Sequence, residues 1–214
     1  MTILPRLEFE AEGHRYWLEY EDGTTEDIPS VSDILKPLEN YSMADAELLD
    51  RACEYGTNIH KAIELWLTGV IDEDSLDDGL KKPLAGFKGW FRPYTMSNAQ
   101  FEVEERRYHP KLKYAGTIDL HIADEALIDY KTRKFNAIVD PVRLAAYKGL
   151  YPDFPPLETN VLEIDIEGNC KPINAYHRQA WGVFRKLLDF YNFKKRNVEK
   201  RLEFEKFIEK WKGK

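Results

Sequence analysis

Two cysteines, no long apolar run and no glycine-rich lysine loop set the outer limits of this 214-residue chain. Cys53 and Cys170 are too few and too far apart to frame a disulfide-stapled fold or a four-cysteine metal site, so no iron–sulfur cluster is expected. No stretch approaches the roughly 18 uninterrupted apolar residues of a membrane-spanning helix. The opening Met1-Thr2-Ile3-Leu4-Pro5-Arg6 also lacks the basic-then-apolar order of a secretory signal, so a cytoplasmic chain with no membrane partner is expected. No Gly-x-x-x-x-Gly-Lys-Ser/Thr loop occurs, which argues against ATP as a cofactor. Internal repeats and low-complexity linkers are missing as well. With 43% hydrophobic residues the chain can bury one sizeable core. We expect a single domain over 1–214, with a hairpin and short helix at 14–36, a core at 44–196 and a basic helical tail at 197–214.

Charge is unevenly spread beneath the formal net value of −7. From Lys194 to Lys214 nine Lys or Arg stand against four Glu, whereas Asp72 to Asp78 is an acidic run expected to connect two helices in solvent. Phe204, Phe207 and Trp211 follow helical spacing in the tail and are expected to pack. The tail lysines either track a nucleic-acid backbone or are simply solvated.

The chemistry-bearing residues concentrate between Gly116 and Lys131. Lys113 to Ala123 and Ala126 to Lys131 are apolar-rich and joined by Asp124-Glu125, which predicts an antiparallel hairpin. Alternation puts Asp129 and Lys131 on one face of the second strand and Ile128 and Tyr130 on the other. If the register brings Asp119 beside Asp129, two carboxylates can share a divalent ion, and oxygen ligands of this kind suit Mg²⁺ or Mn²⁺. Such an ion polarises a phosphoryl oxygen and acidifies water, with Lys131 placed to orient the nucleophile or stabilise developing charge. Taken alone, the Asp-x₉-Asp-x-Lys spacing is equally that of solvated strand residues.

Neighbouring segments add to it. A helix is expected from about Ala44 to Leu67, with Ala52, Tyr55, Ile59, Ile63 and Trp66 as its buried stripe. His60 lies at the border of that stripe and is a candidate ligand, or else a partly exposed structural histidine. Gly56, one turn earlier, costs about 1 kcal/mol in a helix interior, which suggests a close neighbour there. Phe101 to Tyr108 is expected to be a strand with Glu102, Glu104, Arg106 and Tyr108 on one face, where Glu104 can complete a metal shell. Asp140-Pro141 is expected to open a helix to about Tyr151. Arg143 and Tyr147 share one face of it and can meet a phosphate; an Arg resting on a ring is the plainer alternative. Around these lie scaffold elements: an N-terminal hairpin (His14 to Tyr20, Thr24 to Ile28), a short helix capped by Ser30 or Ser32, a helix from Leu80 to Tyr94, strands at Val161 to Ile166 and Lys171 to Ala175, and a helix from His177 to Phe193.

In order, Gly56…His60, Glu104, Gly116…Asp119, Asp129-Tyr130-Lys131 and Arg143…Tyr147 resemble the motifs of the PD-(D/E)XK nuclease superfamily, within it the RecB-like branch. Ile28 to Leu35, Tyr108 to Asp119 and Leu188 to Arg196 extend the likeness, which covers about 14–196 and is similar to phage and prophage exonucleases and the mitochondrial genome maintenance exonuclease. The resemblance implies a restriction-endonuclease-like α/β core, a mixed central sheet flanked by helices, with an N-terminal β-hairpin and a C-terminal helical extension. It implies one or two Mg²⁺ or Mn²⁺ ions held by His60, Asp119, Asp129 and the Tyr130 carbonyl, with Glu104 a second-rank ligand and Lys131 positioning the attacking water. Arg143, Tyr147, Thr117 and Thr132 are then the candidate substrate contacts. The implied activity is exonucleolytic hydrolysis of DNA at single-stranded ends, with phage recombination proteins as candidate partners. Too few cysteines separate the chain from the iron–sulfur-bearing relatives in that superfamily. Arg143 stands where the family has Gln, keeping a donor but adding charge. The alternatives are a structure-specific endonuclease of the same fold and a nucleic-acid-binding module that has lost turnover.

Overall fold

Short alternating strands separated by turn-forming residues build two sheets in the computed structural model, which describes residues 4–39, 45–151 and 157–212. The first is antiparallel: β1 (Arg6–Glu10), β2 (Arg15–Glu19) and β3 (Thr25–Ile28), in that order. The expected N-terminal hairpin is thus three-stranded. β1 escaped the sequence reading because Arg6-Leu7-Glu8-Phe9-Glu10 is short and more than half charged, and it becomes a strand only by pairing with β2. Tyr16, Leu18 and Ile28 bury one face of this sheet against Ala115 of the second.

The second sheet has the order β4 (Phe101–Tyr108), β5 (Ala115–Ile122), β6 (Ala126–Lys131), β7 (Glu158–Ile164) and β8 (Cys170–Asn174). Only β6 and β7 run parallel, and such a pair needs a crossover, supplied by α4 (Val139–Gly149). The sheet is therefore mixed. Helices α2 (Ala46–Leu67) and α3 (Asp78–Met96) pack on one face through Ile59, Ile63, Phe87 and Phe91, against Leu120, Ile128, Tyr130 and Leu162. The other face carries α1 (Val31–Leu35), α4 and α5 (Ala180–Lys212), around Ile118, Leu127, Leu144, Tyr147, Val161 and Phe184. Ser30 caps α1 in a full capping box with Asp33. No helix of the described residues is long and apolar enough to cross a membrane.

One local departure from alternation shapes everything near the site. Phe101 and Val103 of β4 pack toward α2 and α3, so Glu104 belongs on the opposite face. Instead Glu104 adopts a left-handed φ of +50° and its carboxylate meets His60 of α2 and Asp119 of β5. The β4–β5 ladder keeps its register on both sides but skips the Glu104–Asp119 rung. Side-chain parity changes there: Glu102 ends up beside Glu105 and His121, not beside Glu104. The expectation that Glu102, Glu104, Arg106 and Tyr108 share a face fails for Glu102.

Other expectations shift at their edges. Ala52 is exposed, since the first turns of α2 extend past the sheet, while Tyr55 and Trp66 are half-buried and Ile59 and Ile63 buried. α5 starts at Ala180 and continues unbroken to Lys212, because no Gly or Pro interrupts it after Gly182. The expected separate tail is the end of that helix. The side chains of Phe204, Phe207 and Trp211 lie outside the described part of the chain.

Candidate metal centre

Asp119 and Asp129 belong to strands that part at the site. β5 and β6 pair from Ile122↔Ala126 to Leu120↔Ile128 and no further. Beyond that point Asp119 Oδ2 accepts the Tyr130 N–H at 2.7 Å, a side-chain oxygen replacing a ladder acceptor. This fixes one carboxylate oxygen and leaves Oδ1 turned to His60, whose Nδ1 is 3.5 Å away. The other imidazole nitrogen, Nε2, donates to the Tyr130 carbonyl at 3.1 Å. That bond orients the imidazole ring and turns Nδ1 toward Asp119.

Ligand atoms of His60, Glu104 and Asp119 all lie within 4.8 Å of one another. Burial, then the charge of Asp119, push the Glu104 carboxyl up to about 7 against the pull of His60. For Asp119 burial acts the same way, but the charge and hydrogen bond of His60, the charge of Lys131 and the Tyr130 N–H outweigh it and hold its pKa low. Burial opposes the His60 imidazolium, yet Asp119 raises its pKa. Two carboxylates and one imidazole thus compete for too little positive charge. Two oxygens and one nitrogen in this spacing could hold a metal ion.

Asp129 and Lys131 share a face, as alternation requires, and form an ion pair with Nζ 2.5 Å from Oδ2. Asp129 is 2% exposed and is turned to Lys131, so it stands beside the three-ligand group and not within it. Lys131 also donates to the Tyr130 carbonyl at 3.0 Å. That carbonyl, expected as a ligand, accepts from both His60 and Lys131. Glu104, ranked second from sequence, is brought fully into the group.

All ten sequence candidates line one cleft of about 950 Å³ between α2, the sheet and α4. Thr132 places Oγ1 3.3 Å from where a Cβ on Gly56 would sit, which identifies the close neighbour that the glycine implied. Gly116 is needed for a related reason: an added Cβ would lie 2.8 Å from the Tyr147 ring, so the two motif residues are one packing unit. Thr117 Oγ1 and Tyr16 OH are 2.6 Å apart. Among the described residues Arg143 lies over no ring; it binds Glu39 at 2.5 Å and Ser32 at 3.2 Å and meets the Tyr147 side chain. Arg133 holds the fully buried Asp140 through both guanidinium nitrogens. Glu39, Arg133, Asp140, His14 and Tyr16 were not singled out from sequence for the site. Their roles depend on long-range contacts that no local pattern announces.

No family model matches the chain, and no curated protein matches it either. Fold and site define a mixed α/β protein with buried acidic and histidine groups able to bind a metal ion.

Proposed function

We propose that the chain is a Mg²⁺- or Mn²⁺-dependent deoxyribonuclease of the PD-(D/E)XK type, with a restriction-endonuclease-like core, removing nucleotides from single-stranded DNA ends. The observation that carries this reading is the convergence of His60, Glu104 and Asp119 beside the Asp129–Lys131 pair in one open cleft. His60, Glu104 and Asp119 would hold the ion, which when bound supplies Lewis acidity toward a phosphoryl oxygen and acidifies water. Lys131 has three N–H donors; it donates to the Tyr130 carbonyl and is ion-paired with Asp129. Its remaining N–H capacity serves the attacking water or a non-bridging phosphate oxygen, so that Lys131 orients the nucleophile and stabilises developing negative charge. Asp129 fixes the ammonium in place. Arg143 and Tyr147 stand behind the pair from α4, and Thr132 lies at the cleft wall beside α2.

End-labelled single- and double-stranded DNA, incubated with Mg²⁺, Mn²⁺ or EDTA, tests the proposal. Short products are expected with either metal and none in EDTA, with Lys131→Ala and Asp119→Ala both inactive. Equal cleavage in EDTA or by either variant would overturn it. Circular single strands are expected to survive; their cleavage would identify an endonuclease.

A further inference from the structure

β1, the strand that local pattern did not reveal, carries Phe9 against His14, a residue that lines the cleft. The Arg106 guanidinium lies over its ring, 4.4 Å from the centroid. Arg106 follows Glu104 by two residues on the same strand, one pleat repeat or about 6.8 Å along. It pairs in register with Thr117, whose hydroxyl meets Tyr16. The arginines that line the cleft are taken: Arg133 by Asp140 and Arg143 by Glu39. Arg107, the next residue of β4, points to the opposite face and holds Glu105. Arg106 makes no ion pair among the described residues.

His14 completes the feature. It lines the same cleft as the metal group and meets Phe9 and Tyr16 edge-on, at 5.4 Å and 5.5 Å between ring centres. Its backbone is held at φ +46°, a conformation that costs a non-glycine residue about 1 kcal/mol or more. Partial burial lowers its pKa, with Asp33 opposing and the nearby arginines adding to the fall, so the ring is neutral at neutral pH and suited to stacking.

We propose that Arg106, held over Phe9, and exposed His14 form a subsite for the nucleotide adjoining the scissile phosphate of a single-stranded nucleic acid, Arg106 taking its phosphate and His14 its base. The inference rests on the nuclease reading and adds where the strand lies: along β4, from the metal group toward β1. Stacking on Phe9 holds the guanidinium plane ready, so its N–H fork meets a phosphate with little loss of side-chain freedom. A base in a duplex is stacked on its neighbours and unavailable to His14, which selects for single strands.

Fluorescence anisotropy of a labelled oligothymidylate in Ca²⁺ tests this without cleavage. Arg106→Gln is expected to weaken binding about tenfold, and Arg106→Lys to restore only part of that, since an ammonium keeps the charge but not the fork. His14→Ala is expected to weaken binding about fivefold for the single strand and to leave a blunt duplex unchanged. Binding by Arg106→Gln within about twofold of wild type, or full restoration by Lys, would overturn the subsite. Arg106-dependent binding by a protein that cleaves no DNA would instead sink the nuclease reading and leave the subsite standing.

Discussion

Two groups of two carboxylates and a histidine flank strands β4 and β5 on opposite faces of the same ladder, and the protein treats them in opposite ways. On one face are His60, Glu104 and Asp119; on the other are Glu102, Glu105 and His121, also within 4.8 Å. Glu105 accepts hydrogen bonds from Tyr151 and Arg107 and lies 2.9 Å from His121 Nδ1. Burial would raise its pKa, but those hydrogen bonds and the Arg107 charge outweigh it, and Glu105 is held below its ordinary value. For Glu104, burial and the charge of Asp119 outweigh the pull of His60 and Arg106, and its carboxyl is raised to about 7. A ligand-like constellation is therefore insufficient to indicate a metal. What distinguishes the two is whether the chain supplies the counter-charge itself; here one group is closed by Arg107 and Tyr151, and the other is open to a cleft.

The largest expected effect is on turnover. Asp119→Asn is expected to lower metal-dependent cleavage by at least about 10²-fold, while Glu102→Gln leaves the rate within about twofold; parity between them would erase the contrast. Stability should show the reverse bias. Glu105→Ala removes the carboxylate that satisfies Arg107 and Tyr151, with an expected cost of about 3 kcal/mol in urea unfolding and with cleavage preserved below the transition. A cost under about 0.5 kcal/mol would show that this group is no structural network. Gly116→Ala drives a Cβ into the Tyr147 ring beneath the open site and is expected to cost about 2 kcal/mol; an unchanged urea midpoint would mean that the ring yields freely.

The smallest effect is a pH dependence. A carboxyl whose folded pKa is raised gives stability that is complete below about pH 4.5 and lost as pH rises through about 7. Metal-free protein is thus expected to lose roughly 1–2 kcal/mol over that window, with the slope removed by Glu104→Gln. A slope surviving in the variant would assign it to another group.

Much of this arrangement was legible because its causes are local. The β5–β6 hairpin and the common face of Asp129 and Lys131 follow from alternation across a tight turn, and Gly56 announced a contact through its cost to a helix. Most strands and helices follow from their periodicities, while the mixed sheet flanked by helices was an expectation of the family resemblance, since periodicity does not decide that β6 runs parallel to β7. Glu104 shows where that logic stops. Glu104 is left-handed in mid-strand, so parity counted from Phe101 sends Glu104 to the wrong face, and parity counted from Glu104 does the same to Glu102. Likewise the orientation of Asp129 toward Lys131, the hold of Glu39 on Arg143 and the existence of β1 are decided by partners distant in sequence.

Titration of the metal-free protein with Mn²⁺, followed by calorimetry, tests the contrast between the two faces most directly. Binding is expected to persist in Glu102→Gln and His121→Ala and to be lost or weakened at least about tenfold in Glu104→Gln and His60→Ala. Loss in the first pair with retention in the second would place the ion on the opposite face, and no binding by any form would remove the metal centre altogether.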